Sequence, residues 1–245
     1  MPNTQQERSE STTFSALVLG ALMLFVIGGW FGNWSHNDRG LWWAWEYPAN
    51  LWAGLASVWY IFAWAALTSS VIAFVLVRKQ TPNLATPGEL FGGGLLISLR
   101  AGVLEELAFR WLLVLSAPVA LTFLNWITFG AFRWFHLHVL LPVANWATFG
   151  ILEPQLHVSN WVMAAALLWA AGAFRNGHAY LGPFGYVNAW FIGMVMFYLV
   201  FNYGLVTAIV AHFVYDAIIF SIIAFSARFR PQDLMSMMLR RMFKG

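Results

Sequence analysis

Residues 205–225 form a run of twenty-one with one formally charged side chain, Asp216. As a helix such a run is about 30 Å long, the thickness of the hydrocarbon core of a bilayer. Comparable apolar stretches cover residues 14–30, 51–77, 95–115, 119–135, 158–174 and 186–201, and a shorter piece, 139–151, has the length of a half-span. Only 9% of the 245 residues are charged and 60% are hydrophobic, whereas soluble domains carry roughly 25% charge. The pattern predicts an all-α, polytopic transmembrane bundle of about seven or eight helices. Residues 1–12 read as a polar, disordered tail, 13–228 as one membrane domain, and 229–245 as a basic tail.

Local signals refine this outline. Thr86-Pro87-Gly88-Glu89 reads as a capping box with proline at the first helical position, so a helix starts there. Gly92-Gly93-Gly94 follows and is expected to break or kink it. Pro118 marks the next boundary. The Trp-studded loop 33–46 has the composition of a membrane–water interface. No internal repeat stands out, and no secretory signal is expected, because the polar start is followed by an apolar run too long for one.

Charge and cysteine content exclude several classes. The balance of 13 basic against 10 acidic residues is too small an excess for nucleic-acid binding. It fits positive-inside loops and anionic headgroups. The basic cluster Arg228, Arg230, Arg240, Arg241 and Lys244 places the C-terminus in the cytoplasm, and Arg78-Lys79 marks a second cytoplasmic loop. Leu234, Met238 and Met242 recur at helical spacing in that tail, as in a helix lying in the interface. The chain has no cysteine, so disulfides, thiolate chemistry and Cys-ligated metals are excluded.

Against this background Glu105, Glu106 and Arg110 are conspicuous, because charge at membrane depth costs a few kcal/mol or more per group. Glu106 and Arg110 are four apart and pair on a helix. Glu105 points about 100° away from that pair, where it could serve as a base. His212 and Asp216 are also four apart, and an aspartate beside a histidine holds the imidazole in one tautomer. His136 and His138 diverge by about 200° on a helix, so only one of them faces a site with the others; His136 is the expected one. His157 and His178 lie near span ends and need no special account. The zinc-protease pattern HExxH, the GxSxG elbow and an intramembrane aspartate pair are all absent. A carboxylate and imidazoles remain, the parts for activating water, with no metal and no cofactor called for.

Three ordered motifs carry a resemblance. Glu105-Glu106 with Arg110, Phe132 with His136, and His212 with Asp216 resemble EExxxR, FxxxH and HxxxD/N of the CAAX-protease and bacteriocin-processing family, the type II CAAX prenyl endopeptidases and their bacterial relatives. The run from Tyr203 into His212 is also similar, and the resemblance covers residues 87–225. It implies an intramembrane glutamic endopeptidase without metal. Glu105 would activate water with His136, His212 and Asp216 would stabilise the oxyanion, and Glu106 with Arg110 would orient the site. The family often has Asn at the last position; an ionised Asp216 would repel an oxyanion, so it acts protonated or through His212. The segment around Glu153-Pro154-Gln155 reads as an insertion.

The expected partners are a peptide or protein-tail substrate and the lipid bilayer, in a bacterial cell membrane, with no nucleic acid. Prenylated substrates are not expected. Two other classes compete: a non-catalytic immunity or partner protein of the same family, and a small proton-coupled transporter. The absence of an inverted repeat weighs against the transporter.

Overall fold

Seven continuous helices and no strand make up the described part of the chain, as the sequence predicts. The computed structural model describes residues 20, 44–45, 50–78, 86–154, 156 and 161–228. Both polar tails, most of the 14–30 span and of the Trp-rich loop, Lys79 and His157 lie outside these residues.

The helices are α1 (Leu51–Ser57), α2 (Trp59–Arg78), α3 (Pro87–Ile127), α4 (131–147), α5 (Trp161–Gly177), α6 (Gly182–Tyr203) and α7 (Leu205–Ala227). Three helices are long and apolar enough to cross a membrane, or four if α1 and α2, bent by 56°, count as one broken span. That is the composition and length of an integral membrane protein. The predicted single span 51–77 is thus two segments.

Helix α3 begins as its sequence dictates. The Thr86 N–H and hydroxyl both donate to Glu89 Oε2 at 2.8 Å, and the Glu89 N–H donates to Thr86 Oγ1 at 3.3 Å. Two expectations about α3 fail. The glycine triplet does not interrupt it, and Pro118 lies inside it. Upstream of the proline, Glu106–Leu113 is a π segment, with backbone bonds that span five residues. In that register the Leu113 carbonyl would take the N–H of residue 118, which proline lacks. The Ser116 hydroxyl donates to Leu113 O instead, at 3.2 Å.

The expected 119–135 span fails for a different reason. The chain turns at Thr128-Phe129-Gly130 and starts α4. Asn125-Trp126-Ile127-Thr128-Phe129-Gly130 recurs as Asn145-Trp146-Ala147-Thr148-Phe149-Gly150, a repeat that the sequence reading missed. The Gly130 N–H donates to Asn125 O and the Phe129 N–H to Trp126 O; Gly150 and Phe149 donate to Asn145 and Trp146 in the same way. These are Schellman motifs with phenylalanine at the left-handed position, φ 52° and 53°.

By their contacts the residues divide into two units, Met1–Gly54 with Leu104–Ala208, and Leu55–Val103 with Ile209–Gly245. In the first, α5 packs against the C-terminal part of α3 and against α6. Ala164, Ala165, Ala166, Ala170 and Ala171 are all buried on α5; small side chains let helix backbones approach closely in a bilayer. In the second unit, Gly94, Ser98 and Gly102 form a buried stripe on α3. A Cβ on Gly94 would stand 2.5 Å from Phe220 Cβ, and one on Gly102 3.0 Å from Ile209 O. Gly94 is therefore a packing residue, whereas Gly92 and Gly93 face open space.

Candidate functional site

The charged residues of the first motif sit where α3 changes register. Glu105 ends the α-helical part and Glu106 opens the π segment. Such segments are rare, and frequent at functional sites. His136 opens the second π segment, His136–Leu140 in α4, so both sequence-selected clusters coincide with locally widened helix. Both π segments pack against α5.

Arg110 Nη1 lies 3.3 Å from Glu106 Oε1, and both side chains are 0% exposed. The guanidinium is further held by aromatic faces, its Cζ 4.0 Å from the Phe174 ring centroid and 5.4 Å from that of Phe197. Rings in this position attract a cation through their quadrupole. Gly193 of α6 permits the approach, since a Cβ there would meet Arg110 Nη2 at 3.3 Å and Phe174 Cδ1 at 3.2 Å. The expected i, i+4 pair is thus present in the structure.

Glu105 faces a different partner from the sequence-expected one. His178 Nε2 lies 3.9 Å from Glu105 Oε2, with both side chains about one-fifth exposed, 22% and 23%. The other ring nitrogen, Nδ1, is 2.8 Å from the Phe174 carbonyl. A carbonyl only accepts, so Nδ1 carries a proton and Nε2 is the nitrogen turned to the carboxylate. Phe174 thereby ties the site together, with its ring under Arg110, its carbonyl on His178, and its ring edge against Phe109 at 5.5 Å. Sequence reasoning set His178 aside as an interfacial residue. Only its place four residues after Phe174, at the end of an apolar run, marks it in the sequence, and nothing there links residue 178 to residue 105.

His136 is fully buried, and among the described residues neither ring nitrogen has a hydrogen-bond partner. Its ring packs 6.2 Å from that of Trp161. It lines a cavity of about 470 Å³ with Phe132, Leu140, Ala165, Trp169 and Trp190, apolar but for His136 and Arg175. Buried polar groups are nearly always satisfied, so an imidazole left open at a cavity wall is suited to a water or a ligand. His138 points elsewhere: it is exposed, donates from Nδ1 to Trp134 O at 2.8 Å, and stacks on the Trp134 ring at 4.9 Å. The two histidines diverge as their spacing requires.

His212 and Asp216 belong to the second unit. Their Nε2 and Oδ2 atoms are 3.7 Å apart on successive turns of α7, with the imidazole buried and the carboxylate partly exposed. Among the described residues, no group of three or more His, Asp or Glu is arranged to hold a metal ion. Glu153 and Pro154 follow the second phenylalanine turn as further turns, and Gln155 lies outside the described residues. Comparisons with protein-family models, curated proteins and solved structures find no match for this chain.

Proposed function

We propose that the protein is an intramembrane endopeptidase of the CAAX-protease and bacteriocin-processing type, in which Glu105 activates water without a metal. The observation that carries this reading is the fully buried Glu106–Arg110 pair one residue beyond a carboxylate that faces an imidazole. A structural ion pair alone would need one carboxylate. Here a second stands partly exposed on the adjacent position, where it can take a proton.

In this reading Glu105 removes a proton from water, and the hydroxide oxygen bonds to the scissile carbonyl carbon. The carbonyl electron pair moves onto oxygen. The family resemblance gives the stabilisation of such an oxyanion to His212 with Asp216. The proton held by Glu105 passes to the departing nitrogen, the electron pair on oxygen re-forms the C=O bond as the C–N bond breaks, and an amine and a carboxylic acid result, the acid then losing its proton to water. His136 supplies one of the two polar groups of a largely apolar cavity wall, suited to a water or to the substrate's backbone. Glu106 and Arg110 hold the turn that carries Glu105. The substrate is a peptide or protein tail at the membrane, the setting is a bacterial cell membrane, and the C-terminus is cytoplasmic.

The test is cleavage of a set of membrane-anchored peptides by purified protein in detergent, with new termini read by mass spectrometry. Wild type should produce new termini, and Glu105→Gln and His136→Ala should not, while both variants keep their helical spectrum. Termini produced equally by wild type and Glu105→Gln would refute the assignment.

A further inference from the structure

Among the described residues, the wall of the cavity that His136 lines does not include Glu105, and its shape follows helix α5. Ala165, Leu168, Trp169, Gly172 and Arg175 all line it. Positions recurring at three and four residues form one stripe of a helix. From Ala165 to Arg175 that stripe runs about 15 Å at 1.5 Å per residue. Gly172 stands within it, and a Cβ there would meet nothing within 4 Å. The side chain that glycine lacks is therefore cavity space, not a packing contact. The volume of about 470 Å³ falls within the range of small-molecule sites, roughly 300–1,000 Å³.

The two polar groups of the wall differ in character. Arg175 is held in place: Nε and Nη2 donate to Asn176 Oδ1 at 3.4 and 3.2 Å, and Cζ lies 4.4 Å from the Tyr186 ring centroid. The Tyr186 hydroxyl donates to the same Oδ1 at 3.0 Å, which ties the three side chains together. These partners are neutral, and among the described residues no ion pair includes Arg175. Its fixed positive charge suits an anion, and its planar fork suits a carboxylate. His136 lies toward the other end of the stripe, its ring 6.2 Å from that of Trp161, about one turn before Ala165. Its buried imidazole, without a partner among the described residues, offers one hydrogen-bonding group to a water or ligand in the cavity.

The rest of the wall says what occupies the space between. Leu140, Val143 and Trp169 line the cavity and are also exposed, so its opening has an apolar rim. Such a rim admits a ligand from hydrocarbon more readily than from water. A peptide segment would bring one N–H and one C=O per residue. Two polar side chains would leave most of these unsatisfied, at a cost of about 1–3 kcal/mol each. A hydrocarbon chain with a single charged end leaves none.

We propose that this cavity binds a long-chain carboxylate, a free fatty acid drawn from the bilayer. Its head sits on Arg175 and its chain runs along the α5 stripe toward His136. The proposal does not rest on peptide cleavage, since such binding is independent of the chemistry at Glu105.

The full-length protein in phosphatidylcholine vesicles is photolabelled with a diazirine-bearing palmitate, and the adducts are mapped by mass spectrometry. Adducts should fall on the α4 and α5 residues of the cavity wall. Excess oleate should remove them, whereas methyl oleate, which has the chain without the charge, should not. Gly172→Leu fills the cavity without a clash and should abolish labelling of its wall. Arg175→Gln should weaken apparent affinity about tenfold, the scale of one charge-assisted hydrogen bond. Where either variant does not fold, Gly172→Met or Arg175→Met takes its place under the same outcomes. Four results would overturn the proposal: no adduct on the cavity wall; wall adducts that persist in Gly172→Leu, which marks general lipid contact; methyl oleate competing as well as oleate; or an apolar peptide with a free C-terminal carboxylate displacing the probe at lower concentration than oleate, which marks a peptide site.

Discussion

Glu106→Gln isolates the burial of charge from the chemistry. The carboxylate and the guanidinium it removes from pairing are both fully inaccessible and 3.3 Å apart. Removing one partner of a buried pair costs about 3–5 kcal/mol, because the remaining charge keeps its desolvation penalty and loses its compensation. Two features of the structure reduce that cost. Phe174 and Phe197 still face the guanidinium, and Glu105 adds a carboxylate on the neighbouring position. The lower end, about 3 kcal/mol, is therefore expected, or roughly 6–12 °C in the unfolding midpoint of a chain this size. The assay is thermal unfolding in detergent followed by tryptophan fluorescence. Glu106→Leu combined with Arg110→Met removes both charges at similar volume and should recover most of the loss, as apolar replacement of a buried pair commonly does. An unchanged midpoint in Glu106→Gln, or a double variant less stable than the single one, would refute the reasoning.

Other consequences follow from individual contacts. Gly94→Ala should destabilise the chain, because its methyl would stand 2.5 Å from Phe220 Cβ, whereas Gly92→Ala and Gly93→Ala, with open space around them, should be neutral or gain about 0.4–1 kcal/mol; the same unfolding assay ranks the three. Gly193→Ala should lower stability by crowding Arg110 and Phe174, and pairing it with Arg110→Met should relieve part of that loss. His178→Asn should impair turnover while leaving the unfolding midpoint close to wild type, since His178 is partly exposed and touches the carboxylate of Glu105; a variant with full activity would remove His178 from the site. A strong chelator should leave cleavage by the purified protein intact, and activity restored by stoichiometric zinc would contradict the metal-free mechanism.

The sequence revealed those parts of the fold that follow from local chemistry. Apolar run length gave the helical membrane class, and Thr86 and Glu89 gave the start of α3 because a capping box acts within four residues. Spacing of four predicted the Glu106–Arg110 pair and the neighbourhood of His212 and Asp216. Spacing of two separated His136 from His138. What the sequence hid depends on neighbours distant along the chain. Gly94 reads as a helix breaker until Phe220 is seen against it. Pro118 reads as a boundary until the π register and the Ser116 hydroxyl account for its missing donor. His178 has no sequence relation to Glu105; Phe174, which holds both His178 and Arg110, joins them. The repeated turns were overlooked because phenylalanine, rather than glycine, occupies their left-handed position.

Oxygen tracing tests the central claim most directly. Purified wild-type protein and Glu105→Gln are incubated with membrane-anchored peptides in water enriched in oxygen-18, and the products are weighed by mass spectrometry. If Glu105 activates water for direct attack on the peptide bond, each new C-terminal carboxylate made by wild type carries one oxygen-18, and Glu105→Gln yields none. Labelled termini formed equally by Glu105→Gln, or no labelled terminus from wild type with any peptide, would contradict the account.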